Sequence, residues 1–153
     1  MRKIFTTLTF MFALMFMTNV FASSWTSVYK DDVENDWRIA TNSVKVDKKE
    51  GGTVEFHANF LKIFSEQGLK QEEEKLSKNG VEKFPQNVRI EMDCIHFKEE
   101  GGKIFSSVTD SFYLDEKGEP IPGFYYVDKP VEWHALKQEG VLYELYKIAK
   151  KYI

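Results

Sequence analysis

The pattern of hydrophobic and polar positions divides the chain into three stretches of different period. Behind Arg2 and Lys3, residues Ile4 to Phe21 form a nearly unbroken apolar run, with no further charge before Lys30. From Trp25 to Val127 the apolar residues fall into short runs separated by turn-forming clusters. Beyond Gly140 they recur at three- and four-residue spacing.

The middle stretch predicts strands. Trp25 to Tyr29 and Trp37 to Ala40 are short runs flanking the charged loop Lys30 to Asp36, and Val44 and Val46 lead into a turn over Lys48 to Gly52. From Thr53, Val54, Phe56, Ala58 and Phe60 alternate with Glu55, His57 and Asn59, the two-residue period of a strand with one apolar face. The alternation slips at Phe60 and Leu61, and Ile63 takes the apolar role from an even-numbered position, which predicts a bulge or the strand's end near there. Leu69 to Lys78 is dominated by Lys, Glu and Gln and predicts an exposed short helix or a mobile excursion, stopped by Asn79 and Gly80. Asn87 to Phe97 alternates again. Val88, Ile90, Met92, Cys94 and His96 share the face read as inward, opposite Arg89, Glu91 and Asp93. Turns at Gly101-Gly102 and at Asp115 to Gly118 separate Ile104 to Leu114 from Ile121 to Val127, so these segments predict an antiparallel meander.

In the last stretch Val141, Leu142, Leu145, Ile148, Ala149 and Tyr152 form one stripe of a helix, with Lys147, Lys150 and Lys151 near its C-terminal end, where cations complement the helix dipole. A sheet with one apolar face and a single amphipathic helix cover each other. The expected fold class is therefore α+β: an antiparallel sheet of about five to six strands with the C-terminal helix packed on one face.

The first stretch changes the setting. A basic start, an apolar core and Val20-Phe21-Ala22 are the parts of a cleavable signal peptide over residues 1–22, leaving one domain over 23–153. A retained anchor is the alternative, since the apolar run approaches the roughly 20 residues that span a bilayer. A lipid anchor needs a cysteine directly after the signal, and the only cysteine is Cys94. The expected location is outside the cytoplasm: periplasm, cell surface or extracellular, with no membrane span after cleavage. The whole chain carries a net charge of −3, and the leader removes two of its cations, so nothing favours nucleic acid as a partner. A domain of roughly 130 residues buries about two-thirds of its unfolded surface, enough to fold without staples. Cys94 has no intramolecular partner; it is either buried and inert or open to an intermolecular bond.

Candidate chemistry is sparse. Cys94 and His96 lie two apart on one strand face, and His57 on a neighbouring strand could join them on zinc, but no CxxC or HxxxH group announces a metal. Gly51-Gly52 and Gly101-Gly102 are simple turns, and no GxSxG elbow is present. The expectation is a non-enzymatic protein with no catalytic residues, metal or cofactor. Phe124, Tyr125 and Tyr126 stand out as candidate binding residues, because adjacent strand residues point to opposite faces and at least one ring must leave the core.

The order of landmarks resembles the surface-adhesin protein E family of secreted bacterial proteins. Trp25 follows the signal, Trp37-Arg38-Ile39-Ala40 is similar to the family's aromatic-x-Ile-Asp element, and a Val-rich strand follows Gly51-Gly52. Then come Asp93-Cys94, Tyr113 to Gly118, and Trp133 shortly before the C-terminal helix. The resemblance implies an antiparallel sheet with that helix on its concave side, self-association, and adhesion to host cells or matrix proteins such as vitronectin and laminin. This chain departs from the family in lacking a second cysteine around Lys150 to Ile153, in Ala40 where an aspartate is expected, and in the charged insertion Gln71 to Lys83. The functional expectation is an envelope-associated or secreted binding protein with protein partners, a homodimer among the compatible states; the alternative is a periplasmic accessory protein with no adhesive role.

Overall fold

Most of the alternating segments pair into a single antiparallel sheet. The computed structural model describes residues 24–153, so the predicted signal over 1–22 and its cleavage after Ala22 lie outside the described residues. The strands are β1 (Trp25–Lys30), β2 (Asp36–Ala40), β3 (Lys45–Glu50), β4 (Thr53–Ile63), β5 (Ile90–Glu100), β6 (Lys103–Leu114), β7 (Pro120–Tyr126) and β8 (His134–Ala135), with helices α1 (Glu66–Lys78) and α2 (Val141–Lys150). The spatial order is β1-β2-β4-β5-β6-β7, with β3 also paired to β4 and β8 to β6. The open antiparallel sheet with a C-terminal helix on it is the architecture that the hydrophobic periods predict.

Four of these strands make up two interrupted runs. β2 and β3 lie on the same side of β4, Ile39 opposite Phe60 and Val46 opposite Phe56, and the 3-10 turn Thr41–Ser43 joins them. Ser43 fills the gap in the ladder: its Oγ accepts from the Asn59 amide at 2.8 Å and donates to the Ala40 carbonyl at 2.6 Å. On the other side β7 and β8 share β6 in the same manner, Tyr125 opposite Phe112 and Ala135 opposite Phe105.

One sheet face is buried under α2. Trp37, Ile39, Phe56, Ala58, Phe60, Ile95 and Phe97 pack with Leu145, Tyr146 and Ala149 of the helix, and α2 also meets β1. Gly140, at φ 83°, turns the chain into α2, a left-handed conformation that favours glycine. The Tyr146 hydroxyl donates to Glu99 at 2.7 Å, and Lys150 pairs with the same carboxylate. These contacts hold the helix without a disulfide.

Of the two outcomes expected near the slip, the bulge does not occur, and the strand ends at Ile63. β4 and β5 stay in register from Val54 opposite Glu99 to Ile63 opposite Ile90. The apolar pattern slips there because both faces are buried: Phe60 joins the helix-covered cluster, while Leu61 packs with Met92, Phe112 and Leu114 on the opposite face. The face of β5 predicted as inward is likewise corrected. Ile95 and Phe97 face α2, and Met92, Cys94 and His96 lie on the other side. Glu91 and Asp93 obscured this, because they read as solvent signals on the side that in fact carries the helices.

The charged stretch forms the predicted short helix, ending at Asn79, and most of its residues are exposed; what the exposed reading missed is one face packed on the sheet. Ser65 caps it, accepting from the Gly68 amide at 2.9 Å. Leu69 and Leu76 pack against Phe64, Phe84, Val88 and Ile121. Gly68 sits directly on Asn35, where a Cβ would approach the Asn35 side-chain oxygen to 1.9 Å. Glu72 is buried, accepting from the Tyr113 hydroxyl at 2.6 Å and facing Lys62 at 3.7 Å. Lys62, Glu91 and Tyr113 are opposite one another across β4, β5 and β6, so α1 covers the same face as α2.

Candidate metal-binding site

On the face away from α2, three neighbouring strands bring together residues distant in sequence. His57 of β4 and His96 of β5 are directly opposite, their ring centroids 4.9 Å apart. β3 contributes Asp47 through a register shift between Val46 and Lys48. As the extra residue of that bulge, Asp47 is released from the ladder, and bulges re-aim side chains in this way. Its carboxylate oxygens both lie 2.8 Å from His57 Nδ1, which donates to them, and His96 Nδ1 is 3.6 Å from Oδ2. One donor atom from each of the three residues falls within 4.8 Å of the others.

Cys94, two residues from His96 on the same strand face, places Sγ 3.8 Å from His96 Nε2. Burial pushes its thiol up to about 12, opposed by a hydrogen bond with Thr109 and reinforced by Asp110 and Asp47. His96 is held below the ordinary imidazole value, first by burial and then by His57, with Asp47 pulling the other way. Its ring is thus neutral at neutral pH, the form in which imidazole binds metals. Asp47 is exposed and both histidines are half-buried, so the group is open to solvent on one side.

Comparison with known proteins finds no family model, no curated protein and no solved structure that matches the chain. The chemistry of the site therefore rests on its own residues.

The sequence-predicted candidates are distributed as follows. Cys94, His96 and His57 are together, as the zinc alternative requires, whereas Asp47 has no sequence signal: it sits in the lysine-rich run Lys45–Glu50, and only the strand register brings it beside the two histidines. His134 pairs opposite Ser106 on exposed β8 and is not part of the group. Phe124, Tyr125 and Tyr126 are all half-buried on β7. Phe124 meets Tyr113 edge-on at 6.4 Å, and Tyr125 stacks on Phe112 at 5.8 Å. Lys129 Nζ lies 3.6 Å from the centre of the Tyr126 ring. Phe124 and Tyr125 pack into different apolar clusters, as their alternation predicts.

A second polar group lies under α1. Lys62 forms ion pairs with Glu91 and Glu72, and its side chain keeps only 10 % of its exposure. Burial works against its charge, but the two carboxylates prevail and raise it above an ordinary lysine. Asp93, on the same face of β5 as Glu91, has Oδ1 sealed from water without a hydrogen-bond partner. Burial, and then the Glu91 charge, push its carboxyl up to about 8. A cleft of about 410 Å³ reaches Lys62 and Glu72 from the side, past Tyr29, Asp31 and Trp37.

Proposed function

We propose that this chain is an exported, non-enzymatic binding protein of the bacterial envelope, and that it binds its ligand on the sheet face carrying Asp47, His57 and His96. The observation that carries the reading is the convergence of these three donors from β3, β4 and β5, open to solvent on a rigid sheet. Binding constellations built on strands are held more precisely than those on loops. The one thiol beside an imidazole supports a non-catalytic reading. A nucleophilic cysteine needs a depressed pKa, and that of Cys94 is pushed the opposite way.

Export rests on the leader: Arg2 and Lys3 ahead of the apolar run that ends at Ala22. Among the described residues no helix is long and apolar enough to cross a membrane. Kinship with the surface-adhesin protein E family belongs to the same proposal. An antiparallel sheet with a C-terminal helix on one face is the form that resemblance implies, and partner contact through the β7 edge at Phe124, Tyr125 and Tyr126 would follow from it.

Protease shaving and antibody labelling of intact and outer-membrane-permeabilised cells, with fractionation, test the reading. Labelling of intact cells is the outcome for an adhesin-like protein. Labelling only after permeabilisation makes it a periplasmic accessory protein. Recovery of unprocessed chain in the cytoplasm overturns export.

A further inference from the structure

We propose that Asp47, His57 and His96 hold one divalent transition-metal ion of the imidazole-preferring class, with zinc(II) as the representative occupant. The inference deepens the binding reading above by naming the ligand.

Three features carry it. The first is the donor set, two imidazoles and a carboxylate. Imidazole suits zinc, copper and nickel, whereas magnesium and calcium favour all-oxygen sites. The second is spacing. Zinc bonds to nitrogen and oxygen run about 2.0–2.2 Å, so donors of a tetrahedral site lie roughly 3.3 Å apart. The Asp47 carboxylate is 2.8 Å from His57 Nδ1 and 3.6 Å from His96 Nδ1, on either side of that figure. The two imidazole donors lie within 4.8 Å of each other, so side-chain rotation has to draw them in to complete the set. The third is orientation. A metal-bound histidine is normally fixed by a hydrogen bond at its other ring nitrogen. Cys94 Sγ occupies that position for His96, 3.8 Å from Nε2, while Nδ1 faces Asp47. Cys94 thereby acts as a positioning residue, since it sits at the nitrogen that points away from the donor cluster. The exposed side, where Asp47 lies, leaves the remaining coordination positions to water.

The test is zinc titration of the chelator-treated purified protein against a competing chromophoric chelator, with calcium and magnesium chloride as controls. The expected result is one saturable zinc per chain, not displaced by excess calcium or magnesium. His57→Ala and His96→Ala are each expected to weaken binding by about a hundredfold, the upper end of what losing even an outer-shell partner costs. His57→Asn and His96→Asn replace them if an alanine variant fails to fold. Nuclear magnetic resonance of the histidine rings gives a readout of its own: zinc should shift the nitrogens of His57 and His96 and leave His134 unmoved. Absence of saturable binding overturns the proposal, as does binding unchanged in both histidine variants. Binding abolished by Cys94→Ala but retained in the histidine variants is thiol capture and overturns it too. None of these outcomes depends on where the protein resides, so the metal site and export can fail separately.

Discussion

Lys62 extends its ammonium between β4, β5 and α1, where Glu91 and Glu72 neutralise it. Removing the cation would leave two carboxylates buried beside each other. Lys62→Met is therefore expected to destabilise the protein by about 3–5 kcal/mol in urea unfolding, the usual cost of breaking a buried ion pair from one side. A loss below about 1 kcal/mol would mean that water relieves the pair, as at a surface site. Asp93 gives the opposite kind of residue-scale effect. Its folded-state pKa of about 8 stands well above the ordinary 3.8, so the native state favours the protonated acid. Its contribution is fully present below about pH 4 and is lost as pH rises through about 8. Asp93→Asn should remove that dependence: relative to wild type the variant gains stability progressively between pH 4 and pH 8, and a constant difference across this window would refute the assignment.

Elements reveal where sequence patterning and packing part company. The helicity of α1 was legible but its packing was masked by its composition, since Leu69 and Leu76 are its only large apolar residues and Glu72 between them reads as a solvent position. Its burial depends on Lys62 and Tyr113, which come from β4 and β6 and leave no local trace. Gly68 shows the same dependence on a distant partner. Alanine favours helix over glycine by about 1 kcal/mol, yet Gly68→Ala is expected to lower stability by about 2 kcal/mol, because it displaces a hydrogen-bonded buried polar group. That group is the Asn35 side chain, which accepts from the Ser65 amide at 2.9 Å and donates to Asp31 at 2.9 Å. Stabilisation of the variant in a thermal melt would show that Asn35 moves aside freely. On α2, Leu145 is fully buried in the main cluster, and Leu145→Ala should cost about 2–5 kcal/mol by urea unfolding.

Across the whole molecule, the α+β architecture was legible because both hydrophobic periods are strong: two along β4, three to four along α2. The site was half legible. His57, Cys94 and His96 stand out by residue type and strand position, whereas Asp47 depends on a bulge fixed by pairing with β4. The same long-range pairing put Glu91 and Asp93 on the covered side. With Cys94 the only cysteine and free, α2 is tied to the sheet by packing and by the bonds of Tyr146 and Lys150 to Glu99, with no disulfide. The melting temperature should accordingly be the same with and without reductant; a decrease of more than about 4 °C, equivalent to roughly 1 kcal/mol in a domain of this size, would reveal an intermolecular disulfide.

The placement of the short and interrupted strands bears on self-templating. β4, β5 and β6, at 11, 11 and 12 residues the longest strands, are all interior to the sheet. The borders belong to the six-residue strands β1 and β3, the latter bulged at Asp47, and to the broken β7–β8 run. A growing fibril needs a long, straight row of unpaired amides and carbonyls to copy, and the folded domain offers none at its margins. Access to the copyable segments must then pass through loss of the sheet itself, so the tendency to form amyloid should follow the population of the globally unfolded chain.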